Sequence, residues 1–313
     1  MAGSVPYNIA ILYYTQTGQL KMLAEKVSEG FSGDCRVDFI EIIPVKQFPF
    51  PWNTIEFFDA MPECVLEEGS EIRLSGYEEG KHYDLVILAY QPWFLHPSLP
   101  ITGFLQSKWA DKLLKDVKVI TLTGARNMWL NALEKIKRDL HKFGSEHVGN
   151  IAFVDSSPNL ISTLTVIRWA FKGRKEASGL LPEAGVQAAE INRGPLFGKL
   201  IASALQEGKW QTLQQELVKA GAVTLKPGLI LLEETTIGQF KMWARKIKAK
   251  GERGSPARRP LVRLFKNILI VGIFILSPIK FVVSKIQAML NRKRLVAAAK
   301  YFQSVNYEEN KFS

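Results

Sequence analysis

The stretch Ile9-Ala10-Ile11-Leu12-Tyr13-Tyr14-Thr15-Gln16-Thr17-Gly18-Gln19-Leu20 decides the fold: an apolar run that ends abruptly in hydroxyl and glycine residues. Residues 21–31 then turn helical, because Leu20, Leu23, Ala24, Val27 and Phe31 recur at three- and four-residue spacing. The segment reads as buried strand, polar elbow, helix. Such an elbow gathers backbone N–H groups, two threonine hydroxyls and a helix N-terminus around one point, where the helix dipole favours a phosphate. A plain strand-to-helix turn with a threonine N-cap is the alternative.

The same unit recurs downstream. Residues 36–43 alternate apolar and polar positions and read as a second strand. Residues 83–89 are nearly continuous in apolar side chains, as a central parallel strand covered on both faces requires. They end in Tyr90-Gln91-Pro92-Trp93-Phe94, and a helix is expected over 99–115. Then come a strand over 117–122, the polar exit Thr123-Gly124-Ala125-Arg126-Asn127, a helix over 128–143, a strand over 150–154 and the exit Asp155-Ser156-Ser157-Pro158-Asn159. Strands alternating with helices imply right-handed crossovers and a parallel sheet, here of five strands, doubly wound, with ligands at the carboxyl ends of the strands.

Thr15-Gln16-Thr17-Gly18-Gln19 resembles the phosphate loop of flavodoxin-like proteins. The order and spacing of the exits after residues 90 and 123 match the two flavin-facing loops of such flavoproteins. The fold class implied is a flavodoxin-like α/β sheet, and the cofactor implied is FMN. FAD is disfavoured because no Gly-x-Gly-x-x-Gly turn follows any strand. Cofactor contacts are then expected from Thr15, Gln16, Thr17, Gly18, Gln19, Gln91, Pro92, Trp93, Phe94, Thr123, Gly124, Arg126 and Asn127. The middle loop looks more like that of the quinone reductase branch than that of the small electron carriers. Trp93 there either walls the flavin or packs as core.

Between the second and third strands, Pro44, Pro49, Pro51 and Pro62 break any long helix, while Phe48, Phe50, Trp52, Phe57, Phe58 and Met61 keep the stretch apolar. Residues 44–80 therefore read as an irregular aromatic insertion, either a lid over an apolar pocket or an edge wrap. Past Asn159 an apolar helix is expected over 160–171, a helical region over 196–219, a turn and short strand over 221–232, and a basic helix over 237–250. The division is a flavodoxin-like domain over 1–235 and a basic, apolar-centred helical tail over 236–313.

The apolar fraction of 47% with 23% charged residues describes a folded globular chain. Only Cys35 and Cys64 are present, which excludes a disulfide framework and favours a reducing, cytoplasmic setting. No secretory signal is expected at the start of the chain. The formal charge of +11 is unevenly placed: residues 240–300 hold sixteen Lys and Arg against Glu252 alone, leaving −4 for the remainder. A nucleic-acid surface is disfavoured, because residues 267–279 carry no charge and sit between Lys266 and Lys280. Thirteen residues cover about 20 Å, short of a bilayer core of about 30 Å. The run reads as a peripheral, monotopic or re-entrant anchor on the cytoplasmic membrane surface, bent at Pro278, with a single short span, a buried core helix or an oligomer contact as alternatives. A homodimer is left open.

No metal cluster is visible, since His82, His96, His141 and His147 have no Cys or carboxylate at ligand spacing. A hydrolase elbow is absent. His96 follows the middle exit and is the candidate acid or base, with Tyr90 beside it as a group that could polarise a carbonyl.

Taken together, residues 47–52, 56–60 and 90–95, Arg126-Asn127-Met128-Trp129 and residues 157–161 resemble a bacterial family called dialkylresorcinol condensing enzyme, along nearly the whole chain. The resemblance implies a place in aryl polyene or flexirubin-type pigment biosynthesis. There a partner ketosynthase condenses two acyl units and a second protein aromatises the product. The chain lacks the activated cysteine and paired histidines that decarboxylative condensation needs. The expected activity is therefore flavin-dependent aromatisation of a dialkylcyclohexane-1,3-dione, a hydrophobic small molecule, to a dialkylresorcinol. The alternatives are a membrane-associated FMN-dependent NAD(P)H:quinone reductase and a non-catalytic scaffold.

Overall fold

The computed structural model describes residues 6–31, 33–225, 227–276, 291–309 and 311. In chain order the elements are β1 (Tyr7–Tyr13), α1 (Gln19–Ser28), β2 (Cys35–Pro44), α2 (Thr54–Asp59), α3 (Met61–Val65), β3 (Ile72–Ser75) and β4 (Leu85–Tyr90). Then follow β5 (Pro92–Trp93), β6 (His96–Pro97), α4 (Leu99–Leu105), α5 (Lys108–Leu114), β7 (Lys118–Ala125), α6 (Leu130–Lys142), β8 (Glu146–Val154) and α7 (Asn159–Lys172). The chain continues with α8 (Ala188–Ile191), α9 (Gly194–Glu207), α10 (Trp210–Lys219), α11 (Pro227–Lys248), α12 (Arg259–Val271) and α13 (Arg292–Phe302).

The main sheet has six strands in the order β3-β2-β1-β4-β7-β8, not five. The five parallel strands run second, first, third, fourth, fifth, which is the flavodoxin-like order. The sixth, β3, pairs antiparallel with β2 at the edge and lies inside the stretch expected to be irregular. Its four residues alternate half-buried and exposed, a signal too short to read as a strand.

Period-two alternation divides the core. Ala10, Leu12, Val86, Leu88 and Tyr90 face α4, α5 and α6 together with the aromatic segment. Ile9, Ile11, Leu85, Ile87 and Ala89 face α1, α9 and α10. Both faces of β4 are buried from Leu85 to Tyr90, so its sequence is apolar throughout. On the second face α1 and α9 come into close contact at glycines: a Cβ on Gly198 would collide with the carbonyl of Val27, and one on Gly30 with that of Pro195.

Three helical expectations are corrected. The helix over 99–115 is two helices, because the Ser107 side chain accepts from Trp109 N at 3.2 Å and starts α5 afresh. The helical region 196–219 is likewise split at Gly208, whose φ of 68° closes α9. Residues 227–232 are not a strand; they begin α11, with Pro227 at the first helical position where its missing N–H costs nothing. Helix α11 continues unbroken through position 235.

The C-terminal helices pack on the sheet's own helices. Ile237, Phe240, Ala244 and Ile247 of α11 and Val262 and Phe265 of α12 form one cluster with Phe58, Met61, Val65 and Leu95. Ile230 and Leu231 at the start of α11 join Leu295, Tyr301 and Phe302 of α13 against Trp129, Leu130 and Leu133. Arg258 is fully buried between these parts, 2.7 Å from Glu63 and 2.8 Å from Asp59. Residues 267–276 of the uncharged run form the end of α12 and a turn of π-helix. The bend expected at Pro278 lies outside the described residues. Among the described residues no helix is long and apolar enough to cross a membrane.

Candidate functional site

Strand β1 delivers Tyr14 to Gly18 to the carboxyl edge of the sheet. Gly18 is the N-cap of α1, in a left-handed conformation with φ 81°, and no side chain caps the helix. A Cβ at Gly18 would meet nothing within 4 Å, so space lies open above the elbow. The Thr15 hydroxyl is buried and has no hydrogen-bond partner. An unsatisfied buried hydroxyl costs about 1–3 kcal/mol, so its place in a folded protein calls for a ligand or water. The two glutamines of the elbow are already used by the protein. Gln16 Nε2 donates to Pro49 O at 3.0 Å, and Gln19 bonds Val186 in both directions, at 3.2 and 3.1 Å. They fix the loops on either side of the elbow and leave the Thr15 hydroxyl and the N-terminus of α1 without a side-chain partner.

The middle exit is a tight hairpin, with Pro92 opposite Pro97 and Trp93 opposite His96. Its two turn residues, Phe94 and Leu95, have φ of 47° and 68°. Two consecutive non-glycine residues in that region are strained, and the hairpin persists because its surroundings hold it. Asn131 Nδ2 donates to Leu95 O at 2.8 Å, and the Cys64 thiol lies 3.1 Å from Trp93 O and 3.4 Å from Pro97 O. The turn sends its aromatic residues in opposite directions. Trp93 meets Tyr14 of the elbow edge-on at 5.9 Å and also Phe48 and Trp52, at 5.1 and 5.6 Å. Phe94 instead packs among Phe57, Phe58 and Phe240. The aromatic segment therefore lies on the same side as the elbow, over the carboxyl ends of the strands. Gln91 uses its carbonyl to accept from Ser98 N at 3.1 Å.

His96 and Tyr90 are in the interior. His96 is fully buried, its Nδ1 is 3.0 Å from Phe94 O and its Nε2 has no partner. Burial pushes its pKa down to about 4, so the ring is neutral at physiological pH. The Tyr90 side chain lies in the first core cluster with no partner on its hydroxyl, and burial pushes that group's pKa up.

The third exit separates by residue. Thr123 Oγ1 donates to Tyr90 O at 3.1 Å and ties β7 to β4. Gly124 lies beneath α1: a Cβ there would come 2.8 Å from Leu23 Cδ1 and 3.5 Å from Leu20 Cδ1, so its small size serves helix packing. Arg126 donates to Asn159 O at 3.2 Å, Asn159 Oδ1 at 2.7 Å and Thr163 Oγ1 at 2.8 Å. Burial lowers its pKa to about 10 against the pull of Asp155, and it remains a cation at neutral pH. Asn127 Nδ2 donates to the same Asn159 oxygen, while Asn127 Oδ1 is buried without a partner.

Sequence reasoning missed Asn159, Thr163, Asp155 and Gln187. Asp155 accepts from Ser157 N and Gln187 Nε2, both at 2.8 Å, and from the Ser162 hydroxyl. Asp155 and Asn159 belong to the polar exit after β8, while Thr163 and Gln187 are brought to it from outside that exit. A cavity of about 310 Å³ opens beside this network, walled by Trp129, Leu130, Val154, Leu229 and Ile230 and reached by Asn127 and Asp155. Of the expected cofactor residues only Asn127 lines it. Among the described residues no group of three or more His, Cys, Asp or Glu is placed to hold a metal ion.

No protein-family model matches the chain, and no curated protein is significantly similar to it. Among solved structures it is similar to a flavoprotein in complex with FMN from Lactobacillus acidophilus NCFM, with 18% identity, a TM-score of 0.38, and coverage of 47% of this chain and 92% of that one. It is also similar to a protein of Bacteroides uniformis ATCC 8492 described as a candidate flavoprotein, with 18% identity, a TM-score of 0.36, and coverage of 52% of this chain and 97% of that one. The strand order, not these likenesses, identifies the fold.

Proposed function

We propose that the chain is an FMN-dependent oxidoreductase that aromatises a dialkylcyclohexane-1,3-dione to a dialkylresorcinol. The observation that carries the cofactor assignment is the elbow: a buried Thr15 hydroxyl with no partner, an uncapped helix N-terminus and open space at Gly18, all at one point. These are the donors a phosphate monoester needs. The phosphate of FMN would be held by Thr15, Thr17 and the N–H groups opening α1. Trp93 would stand as the aromatic wall, and the unpartnered Asn127 Oδ1 would accept from a ring N–H.

Bound FMN supplies a two-electron acceptor. Conversion of the dione to the resorcinol removes two hydrogens and two electrons: one hydrogen would leave as a proton to solvent, and the other, with its electron pair, would need the acceptor that bound FMN would supply. A 1,3-dione is acidic enough to ionise near neutral pH, so a charge to receive the enolate matters more than a strong base. Arg126, cationic and fixed by Asn159 and Thr163, is the charge nearest the third exit. His96, with its pKa at about 4, is a weak base, and Tyr90 keeps its proton. On this proposal both shape the wall behind Trp93. The cluster of Phe48, Trp52 and Trp93 keeps water from the ring and offers apolar contact to alkyl chains.

The test is anaerobic. Purified protein loaded with FMN is mixed with a 2,5-dialkylcyclohexane-1,3-dione, and the flavin absorbance near the visible maximum is followed. Bleaching by the dione with appearance of the resorcinol is expected. Bleaching by NAD(P)H but not by the dione would replace this reading with a quinone reductase, and no bleaching by either would leave neither.

A further inference from the structure

Helix α12 has two apolar faces, and only one of them is used by the fold. Val262 and Phe265 are buried, Phe265 packing on Phe58, Phe240 and Trp243. On another side Leu264, Ile268 and Val271 recur at helical spacing and are 47%, 45% and 47% exposed, while Ile270, at 38%, lies round the helix on the side of Arg259, Arg263 and Lys266. A soluble helix would carry polar residues there.

Some cations of this region are paired, Lys248 with Glu68 and Glu252, Arg258 with Asp59 and Glu63, and the exposed Arg294 with Glu234, while Arg253 lies over the Phe48 ring. Arg245 and Lys250 at the end of α11, and Arg259, Arg263 and Lys266 on α12, have no carboxylate within ion-pair distance among the described residues. Glu252, the sole acid of that stretch, is already taken by Lys248 at 2.8 Å.

We propose that the outer stripe of α12 and its rim of unpaired cations form a docking surface for an anionic phospholipid bilayer, with the helix lying in the interface plane. Apolar residues flanked by cations match a surface whose acyl boundary lies just beneath phosphate headgroups. A nucleic acid would match the cations but offer nothing to Leu264, Ile268 and Val271. The surface is independent of the elbow, so loss of docking leaves cofactor binding unchanged.

The test is sedimentation of the full-length protein with vesicles of phosphatidylcholine alone and of phosphatidylcholine with phosphatidylglycerol, at low salt. Two variants are compared, Arg259→Gln/Arg263→Gln/Lys266→Gln and Leu264→Ser/Ile268→Ser, each with a thermal melt. The wild type is expected to sediment with the anionic vesicles only. The charge variant should lose about a hundredfold in partitioning, at about fivefold per cation, and the apolar variant about tenfold or more, with melting temperatures unchanged. Any of four results would overturn the proposal: no sedimentation of the wild type with anionic vesicles, an apolar variant that sediments like the wild type, or a lowered melt showing that the chain itself covers the stripe. The fourth is a wild-type dimer that the apolar variant dissociates.

Discussion

Replacing Arg258 with methionine probes how the C-terminal helices hold the aromatic segment. Arg258 is fully buried and is bound from one side by Glu63, with two nitrogens at 2.7 and 3.1 Å, and by Asp59, 2.8 Å from its Nε. It also donates to the backbone carbonyls of Asp59, at 2.9 Å, and Gly251, at 3.2 Å. Methionine fills a similar volume but takes both guanidinium donors from Glu63, the ion-pair partner from Asp59, which keeps the Gly254 N–H at 2.7 Å, and the donor from two carbonyls. Breaking a buried pair by removing one partner costs about 3–5 kcal/mol. Lys248 stays within 3.5 Å of Glu63 and offsets part of this, which favours the lower end, about 3 kcal/mol. With an unfolding entropy of about 2.1 cal/mol/K per residue, a chain of this length changes by about 0.6 kcal/mol per degree, so the melting temperature should fall by about 5 °C. Scanning calorimetry measures it, and the double variant Arg258→Met/Glu63→Met should recover more than half of the loss. A fall below about 1 °C would refute the cost assigned to the unpaired carboxylates, and a double variant as unstable as the single one would show that lost packing, not unpaired charge, governs this junction.

Glu233 is fully buried, with Oε1 accepting from Asn131 N at 2.7 Å and Oε2 unpartnered; burial raises its pKa to about 8. The native state keeps a proton that the unfolded chain releases above about 4.5, so stability falls as pH rises from there to about 8. Glu233→Gln should remove about 2–4 kcal/mol of that fall in urea titrations at pH 5 and 8, and an unchanged difference would refute it. His96 has the opposite sign: held neutral by burial, it lets the unfolded chain take up a proton first below its ordinary 6.5, so stability is lost as pH drops toward about 4. His96→Asn should flatten the acid limb between pH 6.5 and 4.5, and an acid limb as steep as the wild type's would refute this. Gly124→Ala should cost about 1–3 kcal/mol by crowding Leu23; weaker FMN binding at unchanged melting temperature would instead put Gly124 at the cofactor.

The parallel strands and their order of exits were legible because each is a long apolar run followed by a short polar stop, and periodicity reports burial directly. The elbow was legible for the same reason: Thr15 to Gly18 is a local signal. Edge strand β3 was not, since four residues of mixed polarity carry no period and owe their strand to pairing with β2. The start of α11 was misread because Gly228 and the β-favouring residues around it are overridden by burial of Ile230 and Leu231 against Trp129. Polar groups buried at long range were invisible. Arg258 meets Glu63 across 195 residues and Glu233 meets Asn131 across 102, and nothing near either one marks it as interior. Gly124, read from sequence as a cofactor contact, packs against Leu20 and Leu23 on its Cβ side, a long-range neighbourhood that the exit's local sequence does not show.

The most direct measurement is fluorescence titration of FMN and of riboflavin into the full-length protein and into Thr15→Ala. If the elbow holds a phosphate, FMN is quenched and binds at least tenfold tighter than riboflavin. Thr15→Ala then loses about tenfold or more for FMN, as a hydrogen bond to a charged group contributes about 1.5–3 kcal/mol, with little change for riboflavin. Equal affinity for the two flavins, or an undiminished FMN affinity in Thr15→Ala, would contradict the assignment of this elbow.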